Sequence, residues 1–126
     1  MNRFTIRGRL PGLNELIHED RTHWSRGAGL KADTEALIGI QIRMAMNRGE
    51  CRMPSGPSRI AFDWHERNRR RDLDNVFSAK KFVLDAMTRC GLLRNDSQKY
   101  VTGLSDTFTL DKDDFVVVTI TEEKDL

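Results

Sequence analysis

Residues 67–74, Arg-Asn-Arg-Arg-Arg-Asp-Leu-Asp, set four arginines directly ahead of two carboxylates that stand two positions apart. The two signs suit different tasks. Guanidinium groups neutralise phosphates and seat a nucleic-acid backbone, whereas closely spaced carboxylate oxygens are the hard ligands that Mg2+ prefers. Because Mg2+ keeps much of its water and takes one or two carboxylates plus substrate oxygens, a few aspartates suffice for an open site. In extended backbone, residues two apart point the same way, so Asp72 and Asp74 can converge on one point. A helix starting there would add free N–H groups and a positive dipole, both favourable to phosphate. The same residues also admit a plainer reading, with Asp74 as an N-cap and Asp72 paired to the arginines on a solvated surface.

A helix is predicted from about Asp74 to Cys90, with Gly91 as its stop. At about 100° per residue, Val76, Val83 and Met87 share one face, flanked by Phe77, Ala79, Leu84 and Cys90. Asp74, Ser78, Lys81 and Asp85 fall on the other face. Lys81 is then about two turns from Asp74 on the same side, where its ammonium could reach a phosphate held at the helix start. Its alternative is an i,i+4 ion pair with Asp85. Lys80 falls among the apolar positions, between Val76 and Val83; either it snorkels along that face or the face curves toward the site. Asp96, in the loop after Gly91, is a third carboxylate that a helix–loop connection could carry back, although an Asn-Asp-Ser sequence is also a common turn. Other chemistries find no support. His18, His23 and His65 include no metal-binding pair at i,i+4, Ser78 and Ser97 have no nucleophile elbow, and no Walker or Rossmann phosphate loop is present.

The whole-chain charge conceals this organisation. Over 126 residues, 21 Lys and Arg stand against 19 Asp and Glu, a net of +2. Residues 105–126 hold seven acids against Lys112 and Lys124, a balance of −5, so the preceding residues carry +7. A basic body suits a polyanionic partner, and an acidic tail alternatively serves solubility. Cys51 and Cys90 are too few for a metal knuckle or a disulfide framework and read as buried thiols. There is no apolar run near the ~20 residues needed to span a bilayer, and the opening MNRFTIRGRL has no signal-peptide core, so a cytoplasmic protein without membrane contact is expected.

The elements that must position these residues follow from periodicity. Arg3–Leu10 alternates with period two and is expected as a first strand, ended by Pro11-Gly12. Residues 11–30 read as a long polar loop. From about Lys31 to Asn47 a helix is expected, with Leu37, Ile38, Ile40, Ile42 and Met44 on one broad face. Arg59–Glu66 reads as a strand with Ile60, Phe62 and Trp64 on one side, and further strands are expected at Tyr100–Leu110, interrupted near Gly103, and at Phe115–Thr121. This order predicts one α+β domain over residues 1–126, a mixed β-sheet with two helices packed on one face, rather than a doubly wound parallel sheet.

Arg70-Arg71-Asp72-Leu73-Asp74-Asn75, then Lys81-Phe82-Val83-Leu84-Asp85-Ala86-Met87, Gly91-Leu92-Leu93 and Asp96-Ser97-Gln98, resemble the RusA family of Holliday junction resolvases, small, dimeric, Mg2+-dependent endodeoxyribonucleases often carried by prophages. The match is continuous over about residues 67–98; Pro11, Asn14 and the β-rich C-terminal segment add weaker support. The resemblance implies a RusA-like fold, hydrolysis of a phosphodiester at a four-way DNA junction, and a homodimer with two sites. It places the D-x-D-N aspartates on Asp72 and Asp74 and the D-x-Q aspartate on Asp96, together a ligand set for Mg2+, with Mn2+ as the alternative ion. The family lysine commonly stands one turn after the second aspartate, where this chain has Ser78. Aligned from Leu84-Asp85-Ala86 it falls on Lys81, with Lys80 as the alternative. On this reading Arg67, Arg69, Arg70, Arg71 and Lys80 seat the DNA. A non-catalytic module that binds branched DNA is the alternative that the departure in lysine spacing favours.

Overall fold

The computed structural model describes the backbone of residues 1–10, 24–68 and 73–126, and the side chains of these apart from residues 24–28, Asp74, Asn75 and Ser78. The elements are β1 (Asn2–Arg7), α1 (Trp24–Asn47), β2 (Ser58–Glu66), α2 (Leu73–Arg89), β3 (Val101–Leu110) and β4 (Phe115–Glu122), closed by a 3-10 turn at Glu123–Asp125. The strands form one mixed sheet in the order β1-β4-β2-β3, in which β2 and β3 are parallel and the other two pairings are antiparallel. The α+β architecture read from the sequence is the one observed.

Alternation decides which face of the sheet is covered. Phe4 and Ile6 on β1, Val116, Val118 and Ile120 on β4, and Ile60, Phe62 and Trp64 on β2 are buried on one side. Both helices pack there. From α2 come Val76, Ala79, Phe82, Val83, Ala86 and Met87, and from α1 come Ile38, Ile42 and Ala45. The two helices are tied to each other by an ion pair between the buried Glu35 and Arg89 at 2.9 Å, and by the Cys90 thiol lying 3.5 Å from the Gly39 carbonyl. Cys51 and Cys90 are free thiols, the former buried.

Several details differ from the sequence reading, each for a local reason. β1 ends at Arg7 rather than Leu10, because Gly8 adopts a φ of 100° that leads the chain out of the sheet. α1 begins at Trp24, seven residues ahead of the expected start, and takes in Gly27 and Gly29 at about 1 kcal/mol each relative to Ala. The rest of the expected loop, residues 11–23, lies outside the described residues. The broad apolar face predicted for α1 is split: Ile38 and Ile42 are buried, while Leu37, Ile40 and Met44 are exposed on a neighbouring stripe. β3 is continuous across Gly103, but the anticipated irregularity is present as a register shift, in which Ser58 pairs with Val101 and Arg59 with Gly103.

Burial on this scale makes the core substitutions costly. Phe4→Ala should lower unfolding free energy by about 3–5 kcal/mol, and Leu37→Ala, 63% exposed, should change it by no more than about 0.5 kcal/mol, as read from urea denaturation.

Candidate functional site

Parallel strands β2 and β3 end on the same side of the molecule, and α2 begins there, so the start of the helix stands over the C-terminal strand ends where open α/β sheets commonly take ligands. A cleft of about 200 Å3 lies at this junction, lined by Glu66, Asn68, Leu73, Val76, Phe108 and Leu110. The chain enters it under restraint. Arg67 donates its backbone N–H to Asp114 at 2.8 Å and its Nε–H to the same carboxylate at 3.2 Å, and Asp114 is almost buried. The Asp111 N–H donates to the Glu66 carbonyl at 3.0 Å. The β3–β4 turn therefore fixes the root of the arginine-rich segment. Arg67 uses its guanidinium in this anchor, which qualifies its expected role as a pure phosphate contact.

A second clamp involves His65, whose role the sequence did not disclose. Its Nδ1 lies 2.9 Å from Asp111 and its Nε2 3.0 Å from Asp63. Carboxylates only accept, so in each contact the ring supplies the N–H. The ring also stacks on Phe115 at 4.1 Å between centroids. Thr107 donates to Asp63 at 3.0 Å. The Lys112 N–H, and after it His65, hold the Asp111 carboxyl below its ordinary range.

The expected site residues are distributed as follows. Arg69, Arg70, Arg71 and Asp72 lie outside the described residues. Asp74 occupies the first turn of α2, as predicted for the helix start, and its side chain is outside the described set. Lys81 is exposed on the polar face, 3.4 Å from Asp85, which is the i,i+4 pair given as its alternative. Lys80 neither snorkels to solvent nor faces the helix start. Its Nζ lies 2.5 Å from Asp106, whose other oxygen accepts the Trp64 Nε1–H at 2.8 Å, and it sits 5.5 Å and 5.2 Å from the ring centres of Phe62 and Phe77. Both members of the pair are largely buried, so the expected use of Lys80 as a DNA contact is corrected to an internal ion pair.

Asp96 does not return to the start of α2 within one chain. It lies beyond the other end of that helix, in a loop where the Asn95 side chain accepts the Ser97 N–H and the Ser97 carbonyl accepts the N–H groups of Tyr100 and Val101. Those bonds hold it at the N-terminal end of β3. The 17 residues of α2 put the two ends about 25 Å apart. Asp96 is exposed and, among the described residues, its carboxylate has no partner. No group of three or more metal-ligating side chains occurs among the described residues.

Asp106 escaped the sequence reading, yet a signal for it exists. Leu104, Asp106, Phe108 and Leu110 share one side of β3, so Asp106 is an acid in an apolar phase, as Lys80 is a base in the apolar phase of α2. Two off-phase charges of opposite sign mark a buried pair. No protein-family model matches the chain, and no curated protein matches it. Among the described residues, no helix is long and apolar enough to cross a membrane.

Lys80→Ala should destabilise the protein by about 3–5 kcal/mol, because it leaves Asp106 charged and buried, whereas Lys81→Ala should cost only a few tenths; thermal unfolding at neutral pH distinguishes them. The depressed Asp111 carboxyl contributes stability that is complete above the ordinary aspartate range and lost as pH falls through its folded value. Asp111→Asn should therefore flatten the acid limb of a stability–pH curve.

Proposed function

We propose that the chain is a Mg2+-dependent, structure-selective endodeoxyribonuclease of RusA type that cuts four-way DNA junctions in the cytoplasm. The observation that carries this reading is the anchoring of Arg67 by Asp114 at the exit of β2, beside the start of α2 and the cleft at the β2 and β3 ends. Arg69, Arg70 and Arg71, which Arg67 leads into, neutralise backbone phosphates, and the N-terminal N–H groups of α2 add to their field. Asp72, Asp74 and Asp96 offer only hard carboxylate oxygens, the donor set that suits Mg2+ or Mn2+. A bound Mg2+ would supply Lewis acidity at the phosphate and lower the pKa of a water molecule. Lys81, free of the core, is the lysine that remains able to turn toward a phosphate.

Since α2 separates Asp74 from Asp96 within one chain, the reading requires Asp96 from a second copy. A two-fold axis that runs α2 antiparallel to its equivalent brings the start of one helix to the far end of the other, so each of two sites draws on both copies. The exposed edge of β3, with Leu104, Phe108 and Leu110 beside Leu73 and Phe77 of α2, offers apolar surface for that contact.

Asp74→Asn should abolish Mg2+-dependent cleavage of a labelled four-way junction while leaving binding intact, and full activity would refute the assignment. Binding without cleavage by the unmodified protein would instead favour the non-catalytic DNA-binding module. Mixing Asp74→Asn with Asp96→Asn chains tests the shared site: heterodimers should regain one intact site and nick the junction, whereas sites contained within single chains would regain none.

A further inference from the structure

Beside the Asp96 loop, at the N-terminal end of β3, lies a cleft of about 340 Å3. One wall is the turn Pro54-Ser55-Gly56-Pro57; the other is formed by Leu93, Arg94, Lys99 and Tyr100. Leu93 is buried and anchors this wall to the core, and the Asn95 and Ser97 hydrogen bonds fix the loop between the two cations. Arg94 and Lys99 are exposed, and neither forms an ion pair among the described residues. Lys99 lies over the Tyr100 ring at 5.5 Å, which leaves its ammonium at the cleft wall.

The carboxylate behind the opposite wall is already engaged. Glu122 accepts the Ser55 and Gly56 N–H groups and the Ser55 hydroxyl, and lies 3.5 Å from Lys124. Those bonds hold its carboxyl below the ordinary range and fix the turn as a rigid wall. The cleft therefore presents two uncommitted cations on a braced loop, flanking the exposed Asp96.

We infer that this cleft is a second backbone-binding site, in which Arg94 and Lys99 seat phosphates of the DNA strand that passes Asp96. The inference rests on the junction-cleaving reading and extends it: the arginine-rich segment holds DNA at one end of α2, and Arg94 and Lys99 hold it at the other. The Tyr100 ring, already carrying Lys99 on its face, gives the cleft an aromatic surface beside the phosphate contacts.

Binding of a fluorescent four-way junction in EDTA, measured by anisotropy across a salt series, decides the matter without reference to catalysis. An Arg94→Ala/Lys99→Ala double variant should bind about tenfold more weakly at moderate salt, with a log–log salt slope smaller by about one for each phosphate that is no longer neutralised. Charge-conserving Arg94→Lys/Lys99→Arg should keep the native slope, and each single alanine variant should show about half the change. An unchanged slope and affinity in the double variant would overturn the proposal. Should the unmodified protein bind but not cut with Mg2+, the nuclease reading fails and the salt slope still decides this one; if it binds no DNA, both fail.

Discussion

Two parallel strands cannot be joined by a tight turn, and that constraint governs most of this molecule. To pair β2 with β3 in parallel, the chain must travel back along the full length of the sheet, and α2 makes that journey. The helix thereby takes residues that are near in sequence to opposite ends of the fold. It covers the apolar face on the way, and its two ends become the two places where charge collects. The separation of Asp74 from Asp96 follows from this path rather than from any property of the aspartates themselves.

Charge in this protein is placed by depth. Lys80 and Asp106 face each other under Phe62, Phe77 and Trp64, where neither would be tolerated alone, and they fix how α2 sits against β3. At the rim, Asp114 and the Asp63–His65–Asp111 clamp use charge to hold a turn against the exit of β2. At the surface, Arg94 and Lys99 are left uncommitted. The same residue types thus serve packing and anchoring or stand open to solvent, and only their surroundings separate them.

Much of the architecture was legible in the residues, because period two in Arg59–Glu66 and Phe115–Thr121 and the apolar stripe of α2 are strong local signals. The stripe of α1 was legible only in part, since Leu37, Ile40 and Met44 are as apolar as the buried Ile38 and Ile42 and nothing local says which stripe the sheet will cover. The candidate site was less accessible for a similar reason. Sequence proximity suggested that Asp96 rejoins Asp72 and Asp74, but the direction of β3 relative to β2 is a long-range property that spacing does not carry. Lys80 showed the reverse: its misfit on the apolar face was visible, while its partner lay 26 positions away on another element.

The sheet order has a bearing on how the chain reaches this state. β4 is the last strand in sequence but lies between β1 and β2, with Asn2 paired to Ile120 and Ser58 to Glu122. Until β4 is in place, β1 has no neighbour in the sheet, and β2 exposes one of its two edges. The helices and the β2–α2–β3 unit rest on contacts nearer in sequence, but the sheet closes only through pairings such as Asn2 with Ile120, which are far apart along the chain. Such a topology folds slowly for its size and leaves apolar strand edges open to other chains in the interval.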